Sequence, residues 1–350
     1  MDIAGRRAKT IESLHEKYGP VIQFGPNEVS FASIEAVDII YGSQSECIKA
    51  PWYDSVARDG VFKLRHIAEH RERRKKISRA FSPASAFELE PNIANLVQTF
   101  ITILENRRQD GPLEMRHWFR MLAFDLSGAA FVGAPYGGLE ADEAPQFLSD
   151  MDNAFLVWDL EGRFPLLMWF IERIPSKSLQ HFFAGIDRLY QFSDTIFDKY
   201  INNYGRSPDR RDIVAKLVQK EANSVIGLTD YQLSCEIANL TFAATDTTSI
   251  VLSFIFWELA LNPEIQKQLR TELKKAQIDP ETGVTRHQSL VNLPYLNAVI
   301  NETLRLHSPV PMGLLRQAPP DGCSIEGYHI PGEVRNLPIL QFSPSSLKHC

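Results

Sequence analysis

The stretch Ala243-Ala244-Thr245-Asp246-Thr247-Thr248 lies in the middle of a long apolar segment that covers residues 230–261. Between residues 237 and 261 the only charged side chains are Asp246 and Glu258. The segment offers no polar stripe to water, and a helix that is apolar all round is typically a buried one. The sequence therefore predicts a long core helix that carries an acid among hydroxyl side chains.

Both ends of this helix are marked in the sequence. Thr229 and Gln232 have the spacing of a capping box, in which the two side chains satisfy free backbone amides at a helix start. Asn262 precedes Pro263, and proline disfavours helical geometry in the residue before it. A helix between these limits is about 45 Å long. Polar residues recur along it, and its cleanly apolar part is shorter than the roughly 20 residues that a bilayer requires.

Asp246 and Thr247 allow several interpretations. Threonine hydroxyls in a helix often bond back to the carbonyl one turn earlier. The acid can be neutralised by a cationic partner elsewhere in the chain, because buried acids are rarely unpaired. A carboxyl group beside a hydroxyl in a dry groove is also a ready proton relay. Helices with threonines and small residues can open locally, which makes room for a small ligand.

Composition sets broad limits on function. The chain has 350 residues, of which 44% are hydrophobic and 23% charged, as in a soluble globular protein of one large domain or two. Its net charge of −6 gives no general attraction to nucleic acid, so no nucleic-acid partner is expected. The cysteines are far apart and lack CxxC spacing, which indicates neither a disulfide framework nor a zinc ribbon and favours a reducing compartment: Cys47, Cys235, Cys323 and Cys350.

The fold is predicted to be mainly α with minor β structure. Two β-prone runs, residues 21–24 and 28–31, flank a Gly/Pro/Asn turn and predict a hairpin. Helical periodicity dominates residues 86–217. Short β-prone pieces follow near the C-terminal end, at residues 313–317 and 323–330.

Glu302 and Arg305 lie on a helix predicted for residues 295–307. Their i, i+3 spacing places them on one face, although most such pairs are solvated surface pairs. The same helix carries apolar residues for burial, and a proline-rich β segment follows at once. A helix of this kind followed by a proline-rich β segment is more informative about the fold than the charged pair alone.

His66-Ile67-Ala68-Glu69-His70 matches the HxxEH pattern of one class of zinc peptidase, in which two histidines bind zinc and the glutamate polarises water. Six of the next nine residues are cationic, which disfavours a bound dication. A zinc hydrolase is therefore kept only as a minor alternative, and no metal ligand is assigned. The basic helix is either a solvated face or a surface that presents cations to the carboxylates or phosphates of a cofactor.

Two of these motifs, in this order, resemble the cytochrome P-450 family of heme-thiolate monooxygenases. Residues 243–248 resemble the family signature (A/G)-G-x-(D/E)-T-(T/S) on its long oxygen-binding helix. Glu302-Thr303-Leu304-Arg305, within residues 292–306, resembles the family's ExxR helix. Residues 15–22 and 25–31 are similar to fungal microsomal members. The resemblance extends over about residues 10–333 and implies the fold of the family.

The resemblance also implies roles for individual residues. Asp246 and Thr247 would deliver protons during dioxygen activation, and Ala244 would line the oxygen groove where the family usually has glycine. Glu302 and Arg305 would be structural residues that tie together the core beneath the heme.

Cofactor and substrate contacts follow from the same resemblance. His70 and Arg74 match the family's WxxxR helix, which contacts heme propionates, with histidine in place of tryptophan. Arg316 falls where a strand after the ExxR helix supplies another cation. Three stretches would wall the substrate pocket: residues 51–64, 155–174 and 309–315.

The implied activity needs a cofactor and partners. The family uses heme b, with electrons from NADPH through a cytochrome reductase, and oxidises lipophilic small molecules, here a secondary metabolite. A monomer is expected. The family is anchored in the endoplasmic reticulum membrane, but residues 1–7 lack the apolar core of a signal peptide or anchor, so a cytoplasmic location is expected for this chain.

The family's axial iron ligand is a cysteine in a loop of the form FxxGxRxCxG, and the 350 residues do not contain this pattern. The prediction is therefore a partial cytochrome P-450 domain over residues 1–333, without the cysteine loop and the helix that follows it. Residues 334–350 are predicted to be an unrelated tail. Val334-Arg335 can be encoded by GTN-AGR, as at an intron donor site, so the tail is interpreted as translated intron. The expected activity is impaired, and the main alternative is a non-catalytic remnant or pseudoenzyme.

Overall fold

The structure is a computed structural model of the chain. It describes residues 6–141, 143–206, 209–219, 227–311, 313–332 and 334. Apart from Val334, the predicted tail at residues 334–350 lies outside the described residues.

Helices dominate the described residues, as the sequence predicted. In chain order they are α1 Arg7–Tyr18, α2 Ile34–Tyr41, α3 Ile67–Ser78, α4 Pro83–Phe87, α5 Glu90–Arg107, α6 Met115–Phe131, α7 Gln146–Arg163, α8 Pro165–Ile171, α9 Lys177–Tyr204, α10 Ile213–Val218, α11 Asp230–Leu261, α12 Pro263–Leu273, α13 His287–Leu290 and α14 Pro294–Leu306. Short 3-10 helices cover Pro51–Asp54, Arg79–Phe81 and Arg108–Asp110.

The strands are short and form two-stranded antiparallel sheets. They are β1 Val21–Gly25, β2 Glu28–Phe31, β3 Ile48–Lys49, β4 Arg316–Gln317, β5 Cys323–Ile325 and β6 Tyr328–Ile330. The pairs are β1 with β2, β3 with β4, and β5 with β6. The predicted N-terminal hairpin is confirmed by the register Val21↔Phe31 and Ile22↔Ser30.

The chain divides into two compact units. Unit 1 comprises residues 1–73, 152–184 and 310–350, and unit 2 comprises residues 74–151 and 185–309. Three of the four boundaries fall within α3, α7 and α9, and the fourth follows α14.

Unit 1 has a core built from α2 and from strands near both ends of the chain. Phe31, Ala36, Ile40 and Ile325 are fully buried in it, and Ile330 of β6 packs with them. Ser33 begins α2, because its hydroxyl accepts a hydrogen bond from Ala36 N at 3.1 Å. Residues from the two ends of the sequence thus share one core.

Unit 2 has a helical core in which α6 packs along α11. Phe131, Leu233 and Ile237 are buried in one cluster together with Tyr200 and Val214. The Asp125 carboxylate of α6 is buried, with the residue 1% exposed. It accepts hydrogen bonds from Gly138 N and Leu139 N, each at 2.8 Å, and so holds the turn that follows α6. This turn is the Gly/Pro-rich break between α6 and α7 in the sequence.

The ends of α11 confirm the prediction. Gln232 N donates to Thr229 Oγ1 at 3.2 Å, and Thr229 N donates to Gln232 Oε1 at 3.1 Å, which completes the capping box. The helix ends at Leu261, and Pro263 begins α12. Local sequence signals were sufficient here because the capping box joins residues three positions apart and the C-terminal signal is the adjacent pair Asn262-Pro263.

The prediction that α11 is buried along its whole length is wrong. Its buried side chains all lie between Leu233 and Ser249. In the last turns Phe256 is 53%, Trp257 60% and Leu261 61% exposed. The reason is that burial requires neighbours on every side, and the neighbouring helices α6, α12 and α14 leave much of this end uncovered in the described residues.

By length and composition, α11 is the one described helix that could cross a membrane. Composition alone does not distinguish such a helix from the core helix of a soluble protein. The capping box and the packing along α6 are features of a helix inside a protein domain.

Candidate functional site

Asp246 on α11 forms an ion pair with Arg120 of α6. Arg120 Nε donates to Asp246 Oδ1 at 2.8 Å, and Nη2 donates to Oδ2 at 3.4 Å. The two side chains are 15% and 22% exposed, so the pair is largely shielded from water. This geometry corresponds to an acid that is neutralised by a partner from another helix. It also holds the carboxylate in one orientation.

Arg120 has a second contact, which the sequence did not reveal. Its Nη2 donates to the carbonyl oxygen of Leu148 on α7 at 3.0 Å. The guanidinium therefore joins α6, α7 and α11 within unit 2. Arg120 lies 126 positions from Asp246, and the available signal was a cation between two buried apolar neighbours, Phe119 and Met121.

The threonines of α11 bond to their own helix. Thr245 Oγ1 donates to Thr241 O and Thr247 Oγ1 donates to Ala243 O, both at 2.7 Å. The helix is continuous through this stretch, so the local opening considered from the sequence is not present. Ala244 is partly buried and packs against the hydrophobic cluster of unit 2.

Glu302 and Arg305 on α14 form the pair that their spacing predicted. Arg305 Nε donates to Glu302 Oε2 at 2.7 Å, and Nη2 donates to Oε1. The hydrogen bond from Arg305 lowers the pKa of Glu302 below its ordinary value. The Glu302 side chain is 55% exposed, which is typical of a surface pair. Nη1 of Arg305 is buried and has no hydrogen-bond partner among the described residues.

The candidate propionate-binding residues on α3 differ in exposure. Arg74 is exposed and His70 is partly buried. Two members of the HxxEH pattern, His66 and Glu69, are exposed. Within the described residues, no group of three or more His, Cys, Asp and Glu side chains is arranged to hold a metal ion.

Arg316 belongs to unit 1, where β4 pairs with β3 through Lys49↔Arg316. Its guanidinium carbon lies 5.3 Å from the centre of the Tyr41 ring. Its Nε is buried and lacks a hydrogen-bond partner in the part of the chain that the structure describes. A buried donor without a partner fits an anionic acceptor, such as the heme propionate implied by the resemblance.

The three stretches that were predicted to wall a substrate pocket meet in unit 1. Ala50 N donates to Leu315 O at 3.2 Å, and Ala50, Tyr53 and Leu315 share a buried cluster against which Trp52 packs. Gly162 of α7 lies so close that a Cβ atom there would be 2.6 Å from Trp52 Cδ1. A larger residue at this position would displace the indole ring.

The helix α8 is short and strongly apolar on its surface. Leu166 is 78%, Phe170 64% and Trp169 49% exposed. The guanidinium carbon of Arg173 lies 3.8 Å from the centre of the Trp169 ring. Exposed apolar groups beside a cation are typical of a surface that contacts a membrane or a lipophilic ligand.

Comparisons with known proteins agree with the motifs. The family model for Cytochrome P450 matches residues 2–341. The chain is 30% identical to the cytochrome P450 monooxygenase notG' of Aspergillus versicolor, over 92% of this chain and 58% of that protein. It is 28% identical to cytochrome P450 monooxygenase FCK2 of Fusarium pseudograminearum, over 97% of this chain and 60% of that protein.

A third relative has a more specific name. The tryprostatin B 6-hydroxylase of Aspergillus fumigatus is 29% identical over 94% of this chain and 58% of its own length. The chain thus spans about three fifths of the length of these curated relatives. In three dimensions it is similar to retinoic-acid-bound cyanobacterial CYP120A1, with a TM-score of 0.72, 20% identity and coverage of 97% of this chain and 72% of that one. This similarity concerns the fold alone.

Proposed function

Since the chain belongs to the cytochrome P450 family, we propose that it takes part in heme-dependent monooxygenation, in which one atom of dioxygen is inserted into a lipophilic small molecule. The family match over residues 2–341 is the observation that carries this proposal. The arrangement of Asp246 and Thr247 on α11 gives it secondary support.

The proposed role of Asp246 and Thr247 is proton transfer. Arg120 holds the Asp246 carboxylate at 2.8 Å, and the 22% exposure of that side chain leaves it a path to solvent. The Thr247 hydroxyl donates to Ala243 O, so its oxygen remains available to accept a hydrogen bond. A carboxylate followed by a hydroxyl oxygen can pass a proton along the helix surface.

Heme b, when bound, supplies the redox-active iron that activates dioxygen. From the family resemblance we assign its propionates to His70, Arg74 and Arg316, because guanidinium and imidazole N–H groups donate hydrogen bonds to carboxylates. Arg316 has the best support, since its buried Nε lacks a partner among the described residues. The proposed role of Ala244, as a wall of the oxygen groove, rests on the family alone.

The substrate is proposed to be lipophilic because the candidate walls are aromatic and aliphatic. Trp52, Tyr53 and Leu315 meet within unit 1, and Trp52 packs against Gly162. Pockets for small molecules are typically lined by apolar side chains with few polar groups. The names of the fungal relatives, such as tryprostatin B 6-hydroxylase, favour a secondary metabolite as the substrate class.

The proposal includes a partner and a location. NADPH is the electron source, through a cytochrome reductase, and the protein acts as a monomer. Family members of this kind associate with membranes, and the exposed side chains Leu166 and Phe170 of α8 provide this chain with an apolar contact surface. We therefore propose peripheral membrane contact through α8 rather than a purely cytoplasmic location.

We further propose that these 350 residues by themselves bind heme weakly and lack normal monooxygenase activity. Their sequence contains no FxxGxRxCxG, the pattern whose cysteine thiolate ligates the iron in the family. The second candidate function is a non-catalytic protein with the P450 fold.

One experiment tests the heme assignment. The chain is expressed with added hemin and purified, and its heme content and reduced CO-difference spectrum are measured. We expect substoichiometric heme and no band characteristic of a thiolate-ligated heme. A full thiolate-type band would overturn the proposed impairment.

A chimera separates the two candidate functions. Residues from 334 onward are replaced by the corresponding C-terminal segment of the Aspergillus versicolor relative, and folding is checked by circular dichroism. A folded chimera that acquires the thiolate band supports the monooxygenase. A folded chimera that binds no heme supports the non-catalytic protein. For a chimera that does bind heme, the variant Arg316→Gln is the matched control and should bind heme more weakly.

A further inference from the structure

Two cysteines that are far apart in the sequence are neighbours in unit 1. Cys47 directly precedes β3, and Cys323 begins β5. The two side chains line the same cavity and belong to the same apolar cluster, and each thiol shifts the pKa of the other. Both residues are free cysteines and both pack against the core of unit 1. Their spacing in the sequence gave no indication of this contact.

The two thiols line a common cavity of about 590 Å³ that is open to the surface. Its wall also includes Asp38, Glu46 and Pro319. Cys47 is 8% exposed and Cys323 is partly exposed, so a reagent in the cavity can reach the pair. A volume in this range is sufficient for a small organic molecule.

We propose that Cys47 and Cys323 form a reversible disulfide by exchange with a low-molecular-weight disulfide of the glutathione class that enters this cavity. The Cys47 thiolate attacks one sulfur of the small disulfide, which releases one small thiol and leaves a mixed disulfide on Cys47. Cys323 loses its proton to solvent and attacks the Cys47 sulfur, which releases the second small thiol. Two protein thiols are oxidised by two electrons, and one small disulfide is reduced to two thiols.

The surroundings make Cys47 the first nucleophile. Burial raises the pKa of the Cys47 thiol, but hydrogen bonds from Ser45 and Cys323 and the positive charge of Arg316 oppose this effect. Burial and the neighbouring Cys47 raise the pKa of Cys323 to about 11. Since the thiolate is the reactive form, Cys47 attacks first and Cys323 resolves the mixed disulfide.

These raised pKa values also make the exchange slow at neutral pH. The titratable and charged groups that act on the pair are Glu46, which raises the pKa of both thiols, and Arg316, which lowers that of Cys47. Asp38 lies in the same cavity wall. The exchange rate is therefore expected to increase steadily between pH 7 and pH 9, as the thiolate fraction of Cys47 grows.

The disulfide would join the segment before β3 to β5 and close a very long loop of the chain. A cross-link over a long loop stabilises the folded state mainly by restricting the unfolded chain. We expect the thermal unfolding midpoint to rise by about 5 °C on oxidation and to return on reduction.

Peptide mapping tests the proposal on the whole chain. The protein, with Cys350→Ser to exclude the one cysteine outside the described residues, is incubated with oxidised glutathione at pH 8.5 and quenched with acid. Free thiols are alkylated, and the digest is analysed by mass spectrometry. The expected product is a peptide pair joined through Cys47 and Cys323 that disappears after treatment with dithiothreitol. Alkylation of both thiols, or glutathione adducts without the cross-link, would overturn the proposal.

Two variants test the roles assigned to Cys47 and Cys323. Cys323→Ala removes the resolving thiol, so a stable glutathione adduct should accumulate on Cys47. Cys235→Ala is the matched control, because Cys235 is fully buried on α11, and this change should leave the yield of the Cys47–Cys323 cross-link unaltered. If a variant fails to fold, the peptide map of the chain with both thiols intact still supports or overturns the proposal.

Discussion

The two halves of α11 have a similar apolar composition and very different surroundings. In the first half, residues 230–245, eight side chains are buried, whereas in the second half only Ser249 is. In the second half Trp257 and Leu261 are 60% and 61% exposed. The Asp246 ion pair with Arg120 lies where the two halves meet and joins α11 to α6.

The difference shows what hydropathy measures. An apolar sequence indicates that burial of a segment is favourable, but the neighbouring helices and strands determine how much of the segment is covered. Leu233 and Ile237 in the first half pack with Phe131 of α6 and Val214 of α10, so this half behaves as core. The second half keeps an open surface near Ile250, Phe254 and Trp257, where a groove of about 480 Å³ lies beside Met115 of α6.

The largest effect is expected from truncation in the buried half. Leu233 is 1% exposed, so Leu233→Ala should lower the free energy of unfolding by about 3 kcal/mol through lost transfer energy and the cavity left behind. Leu261→Ala, at a position that is 61% exposed, is the matched control and should cost no more than about 0.5 kcal/mol. Urea denaturation of both variants measures the difference. Equal costs would contradict the contrast between the two halves.

Removal of the acid should have the next largest effect. Asp246→Asn leaves Arg120 without its carboxylate partner in a mostly shielded site, with an expected loss of about 2 kcal/mol. In a double-mutant cycle, Arg120→Met combined with Asp246→Asn should cost clearly less than the sum of the two single changes.

The exposed pair on α14 is the control for this cycle. Glu302→Gln removes a carboxylate that is 55% exposed, and its effect on unfolding should stay below about 1 kcal/mol. Strict additivity of the Asp246 and Arg120 changes would show that their contact contributes nothing to stability.

A smaller effect is expected at the hydrogen bond between Tyr136 and Thr241. The Tyr136 hydroxyl lies 3.2 Å from Thr241 Oγ1, and Thr241 is 1% exposed in the first half of α11. Tyr136→Phe should lower the unfolding free energy by about 1 kcal/mol, the net value of one such bond. Thermal unfolding monitored by circular dichroism measures this loss, and an unchanged midpoint would show that water replaces the bond.

The smallest effect on stability is expected in the exposed half. Trp257→Ser should change the unfolding free energy by no more than about 0.5 kcal/mol, since most of the indole ring is already in contact with water. It should, however, reduce binding of a hydrophobic dye, because it removes part of an exposed apolar patch. A large loss of stability would show that Trp257 is covered in solution.

Sequence reasoning was most successful where the determining contacts are local. The capping box of Thr229 and Gln232, the hairpin of β1 and β2 and the pair on α14 each involve residues close in sequence. The roles assigned to Asp246 and Thr247 in proton transfer remain predictions. Arg120 was missed because nothing in its own neighbourhood indicates a partner 126 positions away.

The sequence by itself determined that the chain is mainly helical, that α11 runs from Asp230 to Leu261, and which family motifs it carries. These properties depend on backbone propensities, helix caps and short spacings between residues, all of which can be read directly from the linear sequence. Only the tertiary structure decided that Arg120 neutralises Asp246, that Cys47 and Cys323 line one cavity, and that the last turns of an apolar helix are partly exposed. These outcomes depend on which distant segments become neighbours, and chain connectivity alone does not specify that.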